Sequence, residues 1–117
     1  MTKTASLSVK FEFSSAHFLP EYHGKCEKMH GHNYGVTISI KGPVKEDGMV
    51  MDFAKIKKIA NEKAINVLDH KNLNEIIENP SAENIAIWIW EQLKNDMPLK
   101  KIAVSETSNS TAEYAGE

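Results

Sequence analysis

Apolar and polar residues alternate along two stretches in the first third of the chain. The apolar side chains of residues 7–13 occupy every second position, and the same pattern returns over residues 34–40. A period of two residues is typical of a β-strand with one buried face. Residues 18–29 between them carry Pro20 and Gly24 without periodicity and predict a loop. We therefore expect the two strands to pair antiparallel.

Two stretches farther along the chain favour helices. Asp52 can cap a helix that ends near Asp69, because apolar residues recur between them at helical spacing, namely at Ile56, Ile59, Ala60, Ala64, Val67 and Leu68. The apolar run 85–90 has no clear period. Ser81 is a suitable cap before it and polar residues follow it as far as Lys94, so a second helix is favoured.

The last part of the chain predicts two more strands. Ile102 and Val104 indicate a third strand, and residues 111–115 indicate a short fourth one after a polar turn. The order strand, strand, helix, helix, strand, strand predicts an α+β domain, with two helices on one face of a four-stranded antiparallel sheet. The edge strands of this sheet need covering, and oligomerisation is one way to cover them.

Composition narrows the possible classes of protein. The 117 residues suit one domain spanning positions 1–117, and no apolar run approaches the roughly 20 residues of a membrane helix. The N-terminus lacks a secretory signal, so a cytoplasmic location without membrane contact is expected. A formal charge of −2 with dispersed lysines argues against nucleic-acid binding. Cys26 is the only cysteine, which excludes a disulfide within the chain.

Three histidines share the parity of the apolar residues on the first two predicted strands. His17 continues the first pattern forward, whereas His30 and His32 continue the second pattern backward. If the strands pair, these ends are neighbours and the three imidazoles meet on one face. A single histidine would more simply satisfy a local hydrogen bond. Three on one face predict a zinc site with an open fourth position, the arrangement of catalytic zinc.

Several short sequence blocks carry a family resemblance. Residues 11–17 read F-E-F-S-S-A-H and residues 26–32 read C-E-K-M-H-G-H; further blocks are G-M-V-M-D-F, L-D-H-K-N-L-N, N-P-S-A-E-N and V-S-E-T. In this order the blocks resemble the 6-pyruvoyltetrahydropterin synthase and 6-carboxytetrahydropterin synthase family over essentially the whole chain. The resemblance implies the tunnelling fold, in which the sheets of several subunits join into an oligomeric barrel. It also implies a homo-oligomer, a trimer or hexamer, with active sites between subunits.

The resemblance further implies roles for individual residues. It assigns Zn²⁺ to His17, His30 and His32, proton transfer to Cys26 together with Asp69 and His70, and anchoring of the pterin substrate to Glu106. Simpler interpretations exist for the last three residues. Asp69 could be a helix C-terminal residue without a task, and His70 a favourable cation at that helix end. Glu106 points inward by parity and could pair with Lys101 or Lys71 instead.

The motif spacing bears on the reaction. The pattern C-x-x-x-H-G-H resembles enzymes of queuosine and deazapurine biosynthesis, which convert 7,8-dihydroneopterin triphosphate to 6-carboxy-5,6,7,8-tetrahydropterin with release of acetaldehyde and triphosphate. Glu27 also completes E-x-x-H-G-H, the pattern of relatives that form 6-hydroxymethyl-7,8-dihydropterin for folate synthesis. Formation of 6-pyruvoyltetrahydropterin is a further alternative. In a different class, Cys26 could complete a closed four-ligand zinc site in a pterin-binding module without turnover.

Overall fold

The architecture is an antiparallel sheet with helices against one face. The structure is a computed structural model that describes residues 2–20 and 28–117. Its strands are β1 (Thr4–His17), β2 (His30–Pro43), β3 (Leu99–Thr107) and β4 (Ser110–Tyr114), paired in that order across the sheet. The helices are α1 (Phe53–Ala60), α2 (Asn66–Leu68) and α3 (Ala82–Leu93), with a 3₁₀ turn at Leu73–Glu75. The predicted α+β class and the four-stranded antiparallel sheet are confirmed.

The first two strands are longer than their apolar patterns indicate. Each contains 14 residues, and they pair in one unbroken register from Thr4 opposite Pro43 to His17 opposite His30. The apolar alternation marks only the central part of each strand. Toward the end of β1 and the start of β2, Ser15 and the histidines occupy the inward positions in place of apolar residues. Pairing therefore continues beyond residue 13 and carries His17 to the end of β1.

One face of the sheet forms the core together with the helices. Phe13 and Tyr34 stack across β1 and β2 with ring centroids 4.8 Å apart, and both are at most 2% exposed. The remaining core positions of the sheet and helices are apolar and are likewise at most 7% exposed, among them Val36, Ile38, Ile56, Leu68, Ile85, Ile89 and Ile102. Burial of each large apolar side chain contributes roughly 1.5–3 kcal/mol. This packing fixes which face of each strand points inward.

The helix predicted after Asp52 contains an irregular segment. Asp52 caps α1 by accepting a hydrogen bond from the Ala54 amide at 2.9 Å, and α2 ends before Asp69 as expected. Between them, Asn61–Ile65 winds as a π-helix. A wider turn changes the direction in which the following side chains point. Accordingly Ile65 is buried, whereas Val67, which was expected on the apolar face, is exposed.

The second predicted helix is confirmed as α3. The Ser81 hydroxyl accepts a hydrogen bond from the Asn84 amide at 3.1 Å and caps its start, and Lys94 ends it. This helix packs against β3 and β4 through one buried face. Among the described residues, no helix is long and apolar enough to cross a membrane.

Residues 68–72 run along the outer edge of β1. The Ser15 hydroxyl donates a hydrogen bond to the Leu68 carbonyl, and the Ala16 amide donates one to the Lys71 carbonyl at 3.0 Å. A parallel bridge joins Ala16 to Asn72. These bonds place the chain after α2 beside the histidine-bearing end of the sheet.

Candidate metal centre and active site

The ends of β1 and β2 bring three histidines together. The nitrogen atoms that His17, His30 and His32 can offer to a metal lie within 4.8 Å of one another. Their rings meet edge to face, with centroids separated by 4.6, 5.2 and 4.8 Å. His17 is 1% exposed, so the cluster begins in the core and opens outward through the less buried His30 and His32.

Two backbone carbonyls orient two of these rings. His17 Nδ1 lies 2.7 Å from the Pro80 oxygen, and His30 Nδ1 lies 2.9 Å from the Lys28 oxygen. A carbonyl oxygen can only accept a hydrogen bond, so each Nδ1 must carry the proton. In the neutral imidazole, Nε2 is then the nitrogen that carries the lone pair. Both rings therefore present a metal-binding nitrogen to the centre of the cluster.

The distance between those two nitrogens supports a metal site. His17 Nε2 and His30 Nε2 lie 3.0 Å apart. If both rings are neutral, two lone pairs face each other at this distance, and they repel unless a proton or a cation lies between them. Zinc held tetrahedrally at about 2.0 Å from each nitrogen would separate two ligands by about 3.3 Å. His17 and His30 thus fit a zinc ion in donor type and spacing, and a nitrogen of His32 lies within 4.8 Å of both.

Glu106 on β3 lies beside this cluster. Its Oε1 is 3.9 Å from His17 Nε2, and its side chain is 31% exposed. Lys101, a partner considered from sequence, instead pairs with Glu113 at 3.0 Å. Glu106 also lines a cavity of about 230 Å³ whose other walls come from the start of α3 and from β4. The carboxylate therefore lies near His17 and also lines a cavity that can admit a ligand.

Asp69 and His70 form a pair on the outer edge of β1. Asp69 Oδ1 accepts the Ser14 amide at 2.9 Å, and its Oδ2 lies 3.0 Å from His70 Nδ1. The Ser14 amide, followed by the contact with His70, holds the pKa of the Asp69 carboxyl below its usual value. His70 adopts a left-handed backbone with φ 57° and donates its own amide to the Ser14 carbonyl at 2.6 Å. These bonds to β1 hold a backbone conformation that non-glycine residues rarely adopt.

The His70 ring faces outward. Its side chain is 81% exposed, and it lines a cleft of about 510 Å³ that runs from His70 and Lys71 across Ser14 and Gly31 to His32. The Asp69–His70 pair thus has a surface position close to the metal cluster. Asp69 is the residue at which α2 ends, and the pair is separate from the buried group around His17.

Two of the residues with predicted roles belong to the part of the chain that the structure does not describe. Cys26 and Glu27 fall outside the described residues, so their assignments stay predictions. The structure also reveals participants that sequence reasoning missed, the carbonyls of Pro80 and Lys28. A backbone carbonyl has no side-chain signature. The only available signal for Pro80 was its position immediately before the cap of α3.

Comparisons with known proteins agree on the family. Residues 6–117 match the family described as 6-pyruvoyl tetrahydropterin synthase. A Synechocystis protein named 6-carboxy-5,6,7,8-tetrahydropterin synthase is 39% identical over 114 residues, covering 90% of this chain and 88% of that protein. A Pyrococcus furiosus protein named dihydroneopterin monophosphate aldolase is 40% identical over 84 residues, covering 68% and 72%. The structure of Caenorhabditis elegans 6-pyruvoyl tetrahydropterin synthase superposes with a TM-score of 0.87 at 31% identity, covering 98% and 97%.

The histidine cluster predicts a selective loss of metal on substitution. His32→Ala removes one of the three candidate ligands, and we expect it to weaken zinc binding by more than about 100-fold, the upper end of what loss of an outer hydrogen-bond partner costs. His70→Ala is the matched control, because it removes an exposed imidazole from the neighbouring cleft. Competition with a chromophoric chelator measures both affinities. Equal zinc affinity of the His32 variant and the native chain would show that the cluster does not bind the ion.

Proposed function

The chain belongs to the 6-pyruvoyl tetrahydropterin synthase family of lyase-type pterin enzymes, and from that premise we propose that it converts 7,8-dihydroneopterin triphosphate to 6-carboxy-5,6,7,8-tetrahydropterin. Acetaldehyde and triphosphate would be the other products. The observation that carries this proposal is the convergence of three imidazole nitrogens next to the Glu106 carboxylate. Further support comes from the C-x-x-x-H-G-H spacing and from the name of the Synechocystis relative.

We propose that Zn²⁺ binds to His17, His30 and His32. When bound, it would supply Lewis-acid stabilisation of negative charge on an oxygen of the substrate side chain. The buried His17 and its hydrogen bond to Pro80 limit movement of one ligand, while the partly exposed His30 and His32 leave the cluster open on one side. This combination suits a catalytic site, which needs an open coordination position.

Glu106 has the chemistry to anchor a pterin. The 2-amino group and the adjacent ring amide of a pterin form a planar pair of N–H donors, and one carboxylate can accept both as charge-assisted hydrogen bonds. Ser110 and Thr111 also line the cavity beside Glu106. A pterin held there lies near the metal ligands, because Glu106 is 3.9 Å from His17 Nε2.

Proton transfer is assigned to Cys26 with the Asp69–His70 pair. Near a bound cation or a protonated imidazole a thiol forms a thiolate readily, and a thiolate can accept a proton from a substrate carbon. Asp69 faces His70 Nδ1 at 3.0 Å. This contact stabilises the ring with a proton on Nδ1 and leaves the exposed Nε2 to accept or donate a proton. The low pKa of Asp69 keeps its carboxylate charged at neutral pH.

A homo-oligomer would place these groups between chains. β1 and β4 are the two edge strands of the sheet, and the Asp69–His70 pair lies exposed beside the edge of β1. Joining edges between copies into a trimeric or hexameric barrel would cover them. We propose such a cytoplasmic assembly, in which the Asp69–His70 pair of one chain acts on the substrate bound at the metal of its neighbour.

A second reaction has its own support. Glu27 directly follows Cys26, and the relative from Pyrococcus furiosus is named a dihydroneopterin monophosphate aldolase. With Glu27 as the base, the chain would cleave the substrate side chain to 6-hydroxymethyl-7,8-dihydropterin. Cys26 and Glu27 would then be alternative bases for two reactions on one scaffold.

Product analysis tests the proposed reaction directly. Zinc-loaded protein incubated with 7,8-dihydroneopterin triphosphate should yield carboxytetrahydropterin and acetaldehyde by mass spectrometry. Cys26→Ala should slow this reaction by about 10²- to 10⁴-fold, the usual contribution of a general base. Glu27→Ala is the matched control and should retain the product.

Other products would change the assignment. Hydroxymethyldihydropterin that depends on Glu27 would move it to folate synthesis, and pyruvoyltetrahydropterin would move it to the reaction named for the Caenorhabditis elegans neighbour. No turnover with zinc bound would contradict every enzymatic version and leave a pterin-binding module.

The proposed assembly predicts complementation between two inactive variants. His32→Ala lacks a metal ligand, and His70→Ala lacks the proton-transfer pair. If these groups act across chains, subunits mixed by denaturation and joint refolding should recover activity that neither variant shows alone. Unmixed variants refolded separately are the control. Absence of recovery, despite mixed oligomers detected by native mass spectrometry, would show that one chain supplies the whole site.

A further inference from the structure

A short turn before α3 contacts the buried side of the histidine cluster. His17 is 1% exposed, and its Nδ1 donates to the Pro80 carbonyl at 2.7 Å. The orientation of this carbonyl therefore decides which His17 nitrogen is protonated and where the other nitrogen points.

The turn is closed by a hydrogen bond around Pro80. The Ser81 amide donates to the Asn79 carbonyl at 2.7 Å, which makes a three-residue turn with Pro80 at its centre. Proline fixes its own φ, and it has no amide that could compete for an acceptor. Because the hydrogen bond that closes the turn uses the Asn79 carbonyl, the Pro80 carbonyl can accept the hydrogen bond from His17 Nδ1.

Asn84 holds the same turn from the helix. Its Nδ2 donates to the Asn79 carbonyl at 2.8 Å, so that this oxygen accepts two hydrogen bonds. Its backbone amide donates to the Ser81 hydroxyl at 3.1 Å. Asn79 itself adopts a left-handed backbone with φ 54°, a conformation that needs support from its surroundings. The Asn84 side chain supports this conformation by bonding the Asn79 carbonyl, which is also the acceptor of the hydrogen bond that closes the turn.

We propose that Asn84 is a positioning residue of the metal centre. Through Asn79 and Pro80 it keeps His17 in the tautomer that carries the proton on Nδ1 and presents Nε2 to the cluster. The proposal rests on the metal site assigned above, and it goes beyond that assignment by naming a residue that touches neither metal nor substrate. Loss of the direct hydrogen-bond partner of a histidine ligand typically changes metal affinity by about 10- to 100-fold, and Asn84 acts on that partner, the Pro80 carbonyl, through the turn.

Three variants separate this role from simple support of the helix. Asn84→Ala removes the amide donor. Asn84→Asp also removes it, but it places a carboxylate in the first turn of α3, where the helix dipole favours negative charge. Ser81→Ala removes the side-chain cap while keeping the Ser81 backbone amide and the Asn84 side chain. Zinc affinity by chelator competition and melting temperature are measured for each variant and for the native chain.

The expected result is a split between metal binding and stability. Both Asn84 variants should bind zinc about 10- to 100-fold more weakly, and Ser81→Ala should melt at a lower temperature while binding zinc as the native chain does. Unchanged zinc affinity in the Asn84 variants would overturn the proposal. Equal weakening in Ser81→Ala would also overturn it, as would native affinity in Asn84→Asp.

The tautomer of His17 gives a readout that does not depend on zinc. In the zinc-free native chain, ¹⁵N shifts of the ring should show a protonated Nδ1 with slow proton exchange, and both Asn84 variants should lose this signature. If the native chain binds no zinc, the proposed metal site fails, yet the ring shifts still test the turn. An unchanged His17 signature in the Asn84 variants would show that Asn84 does not control the ring.

Discussion

The candidate site depends on the register between β1 and β2. His17 lies opposite His30 and Ser15 lies opposite His32, at the end of a ladder of 14 residue pairs without interruption. Because side chains alternate between faces, a slip of one residue would send the ring of His17 to the opposite face from those of His30 and His32. The register is fixed by packing of the apolar face, which extends to the histidines: Phe13 stacks on Tyr34, and the Tyr34 ring lies 5.4 Å from that of His32. The core thus determines whether a metal site can exist.

Two connecting segments place further polar groups at the end of this ladder. The chain after α2 lies along the edge of β1 and carries Asp69 and His70, while the turn before α3 carries Pro80 to His17. Each connection contains a non-glycine residue with positive φ, His70 in the first and Asn79 in the second. Asparagine tolerates this conformation better than histidine does. Both turns are held by hydrogen bonds to neighbouring elements. Each turn therefore places a polar group in a position that local backbone preference alone would not favour.

Sequence patterns predicted the parts of the site that follow from strand geometry. Parity alone placed His17, His30 and His32 on one face, and Glu106 on the inward side of β3. Capping residues located the starts of α1 and α3. The family resemblance supplied the expected roles of these residues, which geometry by itself does not give.

Other features could not be predicted because they arise from contacts distant in sequence. The ladder extends past the last apolar position, and the π-helical segment buries Ile65 in place of Val67. The position of Asp69 and His70 depends on pairing with Ser14, 55 residues before Asp69. The Pro80 carbonyl reaches His17 across 63 residues, and a carbonyl is common to every residue. No local pattern encodes such a contact.

X-ray absorption spectroscopy at the zinc edge tests the central claim most directly, since it reports the atoms bound to the ion in solution. We expect zinc with nitrogen or oxygen neighbours alone, at about 2.0 Å, in agreement with three imidazoles and one open position occupied by a light atom. A sulfur neighbour at about 2.3 Å would contradict the account. It would identify Cys26 as a fourth ligand and the centre as a closed site without room for a substrate.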